Sequence, residues 1–335
     1  MPRAVVLIIV VTAAIIMVVA VALATNWNDL NGAISGRPDS NTVSEQNNKD
    51  TSDPQSAEKL DPSELEQGCP VRDCIPSIDD PRFVSAKEAN RWLNPDDRVF
   101  ALSYNGVTRA YPQRILNWHE IVNDTLSNDP VAITFCPLCG TAIAFKRVVN
   151  GTETTFGVSG KLYNSNLVMY DRLEESYWQQ ADGQAIIGPA AARNEKLERV
   201  PISTITWREW QEKHPETEVL SRETGYTRDY DRYPYGTYEE DNEIYFGIQN
   251  SDERLPIKEV VYGFELKEGT KAYTEEVLMQ KRRISDTVGD VPVLVTYDQD
   301  GTVTMQRSDT GEQIVPLRTF WFAWAAFHPD TTLME

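Results

Sequence analysis

The chain has 335 residues, 41% hydrophobic side chains and a formal net charge of −19 at pH 7. This length predicts two domains with ordinary globular cores. A surface with so many carboxylates repels phosphate backbones, so the composition argues against nucleic acid as a partner.

An apolar segment opens the chain. Residues 4–24 form a run of 21 uncharged residues, which is long enough to cross a bilayer as a helix. Arg3 precedes the run and Asp29 follows it, so the positive-inside rule places the N-terminus in the cytoplasm and the rest outside. A cleaved signal is the alternative, because Ala22-Leu23-Ala24 fits a cleavage site. We therefore predict residues 1–25 as a membrane anchor or signal, with the folded part outside the cytoplasm.

A polar segment follows the apolar one. Residues 26–67 are rich in Asn, Asp, Ser, Gln and Glu and carry almost no aromatic side chains. Such a composition buries too little apolar surface to fold, which predicts a disordered tether.

Four cysteines lie beyond the tether, and an exported protein lives where disulfides persist. An even number suits two bridges, and four cysteines allow three pairings. For Cys69 and Cys74, a mutual bridge is the simplest use of the pair.

The patterning of the next 150 residues mixes strands and helices. The signals, in chain order, are a hairpin at 98–111 turning at Asn105-Gly106, a helix at 112–123 opened by Pro112, a buried strand at 130–135, a hairpin of 141–149 with 152–160 turning at Asn150-Gly151, a strand at 167–172 and a helix at 204–214. Strands joined by hairpins with helices at the edges predict an α+β fold with a mainly antiparallel sheet.

Part of this pattern occurs twice. Residues 99–135 and 261–297 align without a gap and are identical at ten of 37 positions. "WREWQEKHPETEVL" and "WFAWAAFHPDTTLM" repeat Trp, Trp, His, Pro and Thr at the same spacing. We therefore predict an internal duplication. The predicted parts are a first unit at 75–222, a connector at 223–254 and a second, degenerate unit at 255–335.

The alignment separates framework residues from candidate site residues. Cys136, Cys139 and His119 of the first unit face Asp298, Gly301 and Lys281 of the second. His214 and His328 occur in both units at a predicted helix end before proline, which indicates a structural role.

The segment Cys136-Pro-Leu-Cys139 places two sulfurs close together at the end of a strand. Two thiolates supply half of a tetrahedral metal site, and His119 on the preceding helix is a possible third ligand for copper, zinc or iron. The same pair suits a redox cycle in which Cys136 attacks and Cys139 resolves. For His119, the alternative is a core histidine satisfied by a hydrogen bond. The polar run Asn164-Ser165-Asn166, found in the first unit alone, suits a loop over such a site.

Five segments together resemble a known family, namely "AYPQRILNWHEIVND", "VAITFCPLCGTAIAFKR", "FGVSGKLYNSNLVMYDR", "SYWQQADGQAIIGP" and "FWFAWAAFHPDT". They are similar to the domain of unknown function 3179 family over about residues 75–335. The resemblance implies an exported or membrane-anchored protein and brings no established activity. The family pattern keeps a cysteine like Cys136 but varies at Cys139, which favours Cys136 as ligand or nucleophile. Cys69 and Cys74 stand where many members have glycine, which implies a locally added disulfide.

Three functions remain open at this point. The first is a membrane-anchored extracytoplasmic protein whose Cys136 and Cys139 bind a soft metal, with His119 as a third ligand. The second is a thiol–disulfide oxidoreductase, and the third is an interaction module with a structural disulfide. The sequence names no substrate and no protein partner.

Overall fold

The computed structural model describes residues 60–299 and 301–335. The predicted anchor at 1–25 and the tether up to residue 59 lie outside the described residues. Within the described part, no helix is both long and apolar enough to span a bilayer. All described residues fall in one compact unit.

Short strands dominate the first half. They are β1 (Glu66–Gln67), β2 (Phe83–Ser85), β3 (Arg98–Tyr104), β4 (Val107–Pro112), β5 (Ile121–Leu126), β6 (Asp129–Cys136), β7 (Thr141–Lys146), β8 (Val148–Val149), β9 (Thr152–Glu153), β10 (Phe156–Tyr163), β11 (Asn166–Asp171), β12 (Tyr177–Gln179), β13 (Ala185–Ile187), β14 (Arg199–Val200), β15 (Ser203–Thr206) and β16 (Glu218–Leu220). They form three sheets of order β1-β10-β11-β12-β13, β14-β7-β6-β5 and β15-β3-β4-β16-β2, with β8 and β9 as a separate pair.

The second half adds two four-stranded sheets. Its strands are β17 (Val260–Leu266), β18 (Gly269–Thr274), β19 (Arg283–Val288), β20 (Val291–Tyr297), β21 (Val303–Arg307), β22 (Gln313–Ile314), β23 (Leu317–Phe320) and β24 (Thr332–Met334). The sheet orders are β23-β17-β18-β24 and β19-β20-β21-β22. Among the described strands, only β16 with β4 and β24 with β18 pair in parallel. The prediction of an α+β fold with mainly antiparallel sheets is confirmed.

The helices are short and amphipathic, and they lie between strands. They are α1 (Ala86–Ala89), α2 (Gln113–His119), α3 (Pro189–Ala192), α4 (Trp207–Lys213), α5 (Glu275–Lys281) and α6 (Trp321–Phe327). A capping box of Thr206 and Glu209 opens α4, and Trp207 and Trp210 are both buried. His214 and His328 end α4 and α6, and each ring lies about 4 Å from a tryptophan of its own helix. These histidines therefore have structural positions.

The two halves repeat one order of elements. The run β3-β4-α2-β5-β6 matches β17-β18-α5-β19-β20 in the register of the ungapped alignment. Even an unusual backbone conformation recurs, because Glu120 and Arg282 end their helices with φ of 57° and 59°. Tyr111 donates to Asp124 in the first half, as Tyr273 does to Asp286 in the second.

Two predicted elements need correction. The helix predicted at 112–123 ends at His119, because the left-handed Glu120 turns the chain and residues 121–126 pair with β6. The hairpin predicted around Asn150-Gly151 is reduced to β8 and β9, since β7 and β10 belong to different sheets. The hairpin at Asn105-Gly106 is confirmed, with both turn residues at positive φ.

The predicted tether also ends too late. Residues 62–64 form a 3₁₀ turn capped by Asp61, and β1 pairs with β10. Leu65 supplies the reason, because its side chain is buried in a cluster with Val168 and Ile186. One apolar residue in a polar segment thus fixes the end of the tether to the fold.

Candidate thiol site

The two candidate cysteines lie on the turn that joins β6 to β7. Cys136 is the last residue of β6, and the backbone N–H of Cys139 donates to its carbonyl at 3.2 Å. Neither cysteine is in a disulfide, and their Sγ atoms are 3.0 Å apart. The side chains are 1% and 0% exposed. The turn therefore brings the sulfurs together, as predicted, but deep inside the protein.

The β10–β11 hairpin supplies the polar contacts of the sulfurs. Its turn, Asn164-Ser165, has φ of 49° and 61°, so neither residue is in an ordinary strand conformation. The Ser165 carbonyl accepts from Cys139 Sγ at 3.2 Å, and Asn166 Nδ2 donates to the same sulfur at 3.4 Å. The segment predicted to lie over a site is thus placed against Cys139. Burial, together with the neighbouring Cys136, raises the pKa of the Cys139 thiol well above its usual value.

A buried carboxyl group, Glu120, lies where α2 meets the strand that carries Cys136. Its backbone carbonyl accepts from Phe135 N at 2.7 Å, which ties the end of α2 to β6 one residue before Cys136. Its carboxylate accepts from Tyr235 Oη at 3.0 Å. Burial raises the pKa of Glu120 to about 7, and its charge further raises the pKa of Cys139. Glu120 can therefore take up or release a proton near neutral pH in the interior, where its charge acts on Cys139.

The predicted connector at 223–254 forms one wall of this site. It carries no helix or strand, yet it buries Tyr230 and Tyr238. Tyr238 Oη donates to the Leu138 carbonyl, inside the cysteine turn, at 2.9 Å. This contact joins residues 100 positions apart, so the connector holds the turn in place.

Residues of the second half contact the other side of the cysteine turn. Phe320 N and Thr319 Oγ1 both donate to the Cys139 carbonyl, at 2.9 and 3.1 Å. Gly140 has a φ of 63°, and a Cβ there would lie 2.8 Å from the Phe320 ring. The motif therefore needs glycine after Cys139 both for its conformation and for the close approach of β23.

His119 is buried but engaged away from the sulfurs. Its Nδ1 is 2.7 Å from the Pro76 carbonyl and its Nε2 is 2.7 Å from Tyr230 Oη. Burial lowers the pKa of His119 to about 4, so the ring is neutral at pH 7. A carbonyl only accepts, so Nδ1 carries the proton and Nε2 accepts from the tyrosine. These contacts are those of a hydrogen-bonded core histidine, the alternative to a metal ligand.

The described residues do not assemble the predicted three-ligand metal site. In residues 60–299 and 301–335, no three His, Cys, Asp or Glu side chains are grouped so as to hold a metal ion. The donor set at the turn consists of two sulfurs with a carbonyl and an amide beside them. His119 is therefore not placed with Cys136 and Cys139 as a third ligand.

The other two cysteines form a disulfide. Cys69 is bonded to Cys74, and the backbone N–H groups of Gly68 and Cys69 both donate to the Gly160 carbonyl at 3.0 Å. The bridge therefore closes a small loop against β10, on the strand that leads to Ser165.

The sequence offered only a weak signal for Glu120 and the tyrosines. Glu120 follows His119 within the predicted helix, and the ungapped alignment sets it against Arg282, so this carboxyl group is special to the first half. Tyr235 and Tyr238 belong to a segment whose composition indicates a linker. Only their contacts in the folded chain reveal them.

The buried Glu120 predicts an unusual dependence of stability on pH. The folded state keeps a proton between pH 4.5 and about 7 that the unfolded state releases, so stability falls as pH rises through this window. We expect Glu120→Gln to reduce the loss of unfolding free energy between pH 5 and pH 8 by roughly 2–3 kcal/mol, as measured by urea unfolding. The exposed Glu240→Gln is the control and should keep the wild-type profile. If all three proteins showed the same dependence of unfolding free energy on pH, the raised pKa of the buried Glu120 carboxyl group would be contradicted.

Comparison with known proteins adds a family and no activity. A family model described as a protein of unknown function, DUF3179, matches residues 72–315, which include the whole cysteine turn and the connector. No curated protein and no solved structure matches the chain.

Proposed function

Because the chain belongs to the DUF3179 family, whose description assigns no activity, we propose its function from the thiol site: Cys136 and Cys139 form a dithiol–disulfide couple that exchanges electrons with a disulfide substrate. The observation that carries this proposal is the 3.0 Å separation of two reduced, buried sulfurs without a third metal-ligating side chain grouped with them in the described residues. A disulfide bond needs about 2.0 Å, which a small shift of either side chain supplies.

The proposed reaction is a two-step exchange. The Cys136 thiolate attacks one sulfur of the substrate disulfide, forms a mixed disulfide, and releases the other sulfur as a thiolate. Cys139 then loses its proton and attacks Cys136, which closes the protein disulfide and releases the second thiolate. Two electrons pass from the protein dithiol to the substrate, and the reverse sequence oxidises a substrate dithiol.

The two cysteines have different roles in this proposal. The Cys139 thiol, with its raised pKa and its hydrogen bond to the Ser165 carbonyl, suits the resolving position. A thiol with a high pKa needs a base when it attacks. The carboxylate of Glu120 lies close enough to influence Cys139 and has a pKa of about 7, so it is our candidate for the proton acceptor.

Metal binding at Cys136 and Cys139 is the second candidate. Copper, zinc or iron would there be held by two thiolates and by further ligands other than His119. A tetrahedral zinc site, with zinc–sulfur bonds of about 2.3 Å, would open the sulfur pair to roughly 3.8 Å. The observed pair is closer than that, which favours the redox function.

The cellular setting is part of the proposal. We propose that residues 1–25 anchor the chain with its N-terminus in the cytoplasm and that the folded part lies outside. The Cys69–Cys74 disulfide supports this setting, because such bonds persist in oxidising compartments. We also propose that the two halves arose by duplication and that the second lost the thiol site. The recurring element order supports this origin.

A redox titration of the full-length protein tests the function. We expect one dithiol–disulfide transition beyond Cys69–Cys74, at a potential above about −300 mV, the range of exchanging rather than structural disulfides. Metal content is measured on the same sample and should be far below one per chain. Near-stoichiometric metal that is lost in Cys136→Ser would contradict the proposal in favour of a metal site. A Cys136–Cys139 bond that is reduced only at potentials below about −300 mV would instead mark a structural disulfide.

A further inference from the structure

A small cavity lies beside the cysteine turn, and it suggests the size and chemistry of the substrate. Resting on the function proposed above, we propose that this cavity binds one arm of a small aliphatic disulfide and presents its sulfur to Cys136, and that disulfides of folded proteins are not substrates.

The burial of the sulfurs sets the first limit. Cys136 is 1% exposed and Cys139 is fully buried, so a protein disulfide cannot approach either sulfur without displacing the covering segments. Tyr238 fixes the turn from the connector side, and Phe320 fixes it from the second half. A small molecule needs far less movement, because it can enter through an existing cavity.

The cavity has a volume of about 80 Å³ and reaches Leu138, between the two cysteines. On the scale at which about 150 Å³ admits benzene, this is room for roughly three or four non-hydrogen atoms. Most of its lining is apolar, from side chains that include Ile75, Val158, Leu162, Leu167 and Phe246. An aliphatic arm of two or three carbons therefore matches both the size and the polarity of the space.

The polar side chains of Glu120, Tyr235 and Lys161 also line the cavity. The tyrosine hydroxyl donates to the Glu120 carboxylate at 3.0 Å. That leaves carboxylate acceptor capacity for a hydroxyl at the end of a short arm. Bis(2-hydroxyethyl) disulfide, with two carbons and a hydroxyl on each side of the sulfurs, is therefore the probe that the cavity fits.

The reaction with this probe is balanced without another reagent. Cys136 forms a bond to one probe sulfur, and one 2-mercaptoethanol thiolate leaves. Cys139 then attacks Cys136, and a second 2-mercaptoethanol is released. Each chain becomes oxidised by two electrons as one probe molecule is reduced to two thiols.

The test is a single-turnover rate on the reduced full-length protein, followed by alkylation and mass spectrometry. Ile75→Phe and Leu162→Phe each put a larger side chain into the lining of the cavity, and each should lower the rate at least tenfold. Ile314→Phe makes a matched change at a half-buried position in the sheet of β19–β22 and should stay within twofold of wild type. The disulfides of insulin should react at least a hundredfold more slowly than the probe.

The outcomes separate this inference from the function on which it rests. Unchanged rates in both filled variants, with the wild-type redox transition intact, would overturn the cavity as the substrate site and leave the couple standing. Insulin reacting as fast as the probe would overturn the size limit. A wild-type chain without any redox transition at Cys136 and Cys139 would remove the proposed function and this inference together. Circular dichroism confirms that each variant is folded, and two variants guard against the failure of one.

Discussion

Cys136→Ser is expected to abolish disulfide exchange with bis(2-hydroxyethyl) disulfide, lowering the rate at least a thousandfold. A serine hydroxyl is not ionised near pH 7 and forms no bond of the disulfide type. The remaining Cys139 is a poor substitute, because burial raises the pKa of its thiol and thus lowers its thiolate fraction. Intact-mass spectrometry of the variant should show no mixed disulfide.

Cys139→Ser is expected to behave differently, and this contrast is the stronger test. Cys136 can still attack, but nothing resolves the intermediate, so one 2-mercaptoethanol adduct per chain should accumulate and persist. Ile314→Phe, in the sheet of β19–β22, is again the control, and its exchange should run to completion without a lasting adduct. Exchange at the wild-type rate in Cys136→Ser would show that the reactive sulfur is elsewhere.

The local part of the site was predictable from the sequence. The Asn105-Gly106 turn and the strand before Cys136 depend on turn chemistry and on apolar patterning within a few residues. The closeness of the two sulfurs follows from their spacing across one turn. The ungapped alignment of the two halves also matches, to within one residue, the bounds of five elements, β3-β4-α2-β5-β6 with β17-β18-α5-β19-β20.

Long-range packing decided the features that the sequence left hidden. Helical periodicity continues past His119, and only the pairing of Ile121–Leu126 with β6 forces Glu120 into a left-handed turn. The Glu120 carboxyl group then meets Tyr235 and lines the cavity that reaches Leu138. Likewise, Tyr235 and Tyr238 reach partners more than ninety residues away, which no local pattern encodes. The prediction of His119 as a ligand rests on its helix leading into the cysteine strand and on its alignment with Lys281. The two hydrogen-bond partners that engage its ring are equally nonlocal.

Asp171→Ala is expected to cause the largest loss of stability, about 3–5 kcal/mol in urea unfolding at pH 7. Asp171 ends β11 and is fully buried. Its Oδ1 accepts from the backbone N–H groups of Leu173 and Glu174, at 3.1 and 2.6 Å. Its Oδ2 accepts from Ser176 N and from the Trp178 indole, at 3.1 and 2.8 Å. Removing the carboxylate leaves these donors without their acceptor in the interior.

Asp129→Ala is the matched control for this loss. Asp129 accepts from the Tyr104 hydroxyl and the Asn105 amide, but it lies near the surface, where water can replace it. We expect a cost of less than about 1 kcal/mol there. The stability loss of Asp171→Asn should lie between those of the two alanine variants. The asparagine amide keeps one acceptor oxygen for two of the donors, but its NH₂ group faces the other two donors and cannot accept from them. Losses within about 0.5 kcal/mol of each other for the two alanine variants would contradict the role of Asp171 as a buried acceptor.

Asp171→Asn also distinguishes an effect on stability from an effect on disulfide exchange. The Asp171 turn connects β11, which begins at the sulfur contact Asn166, with β12, beyond which Gln180 donates to Thr134 and to the Thr141 carbonyl. Asp171 itself lies five residues along the strand from Asn166, roughly 17 Å away, and touches neither sulfur. The folded fraction of Asp171→Asn should therefore exchange disulfides within about threefold of the wild-type rate despite its lower stability. A loss of exchange larger than the loss of folded protein would mean that the strand ends at the thiols depend on this distant turn for their geometry.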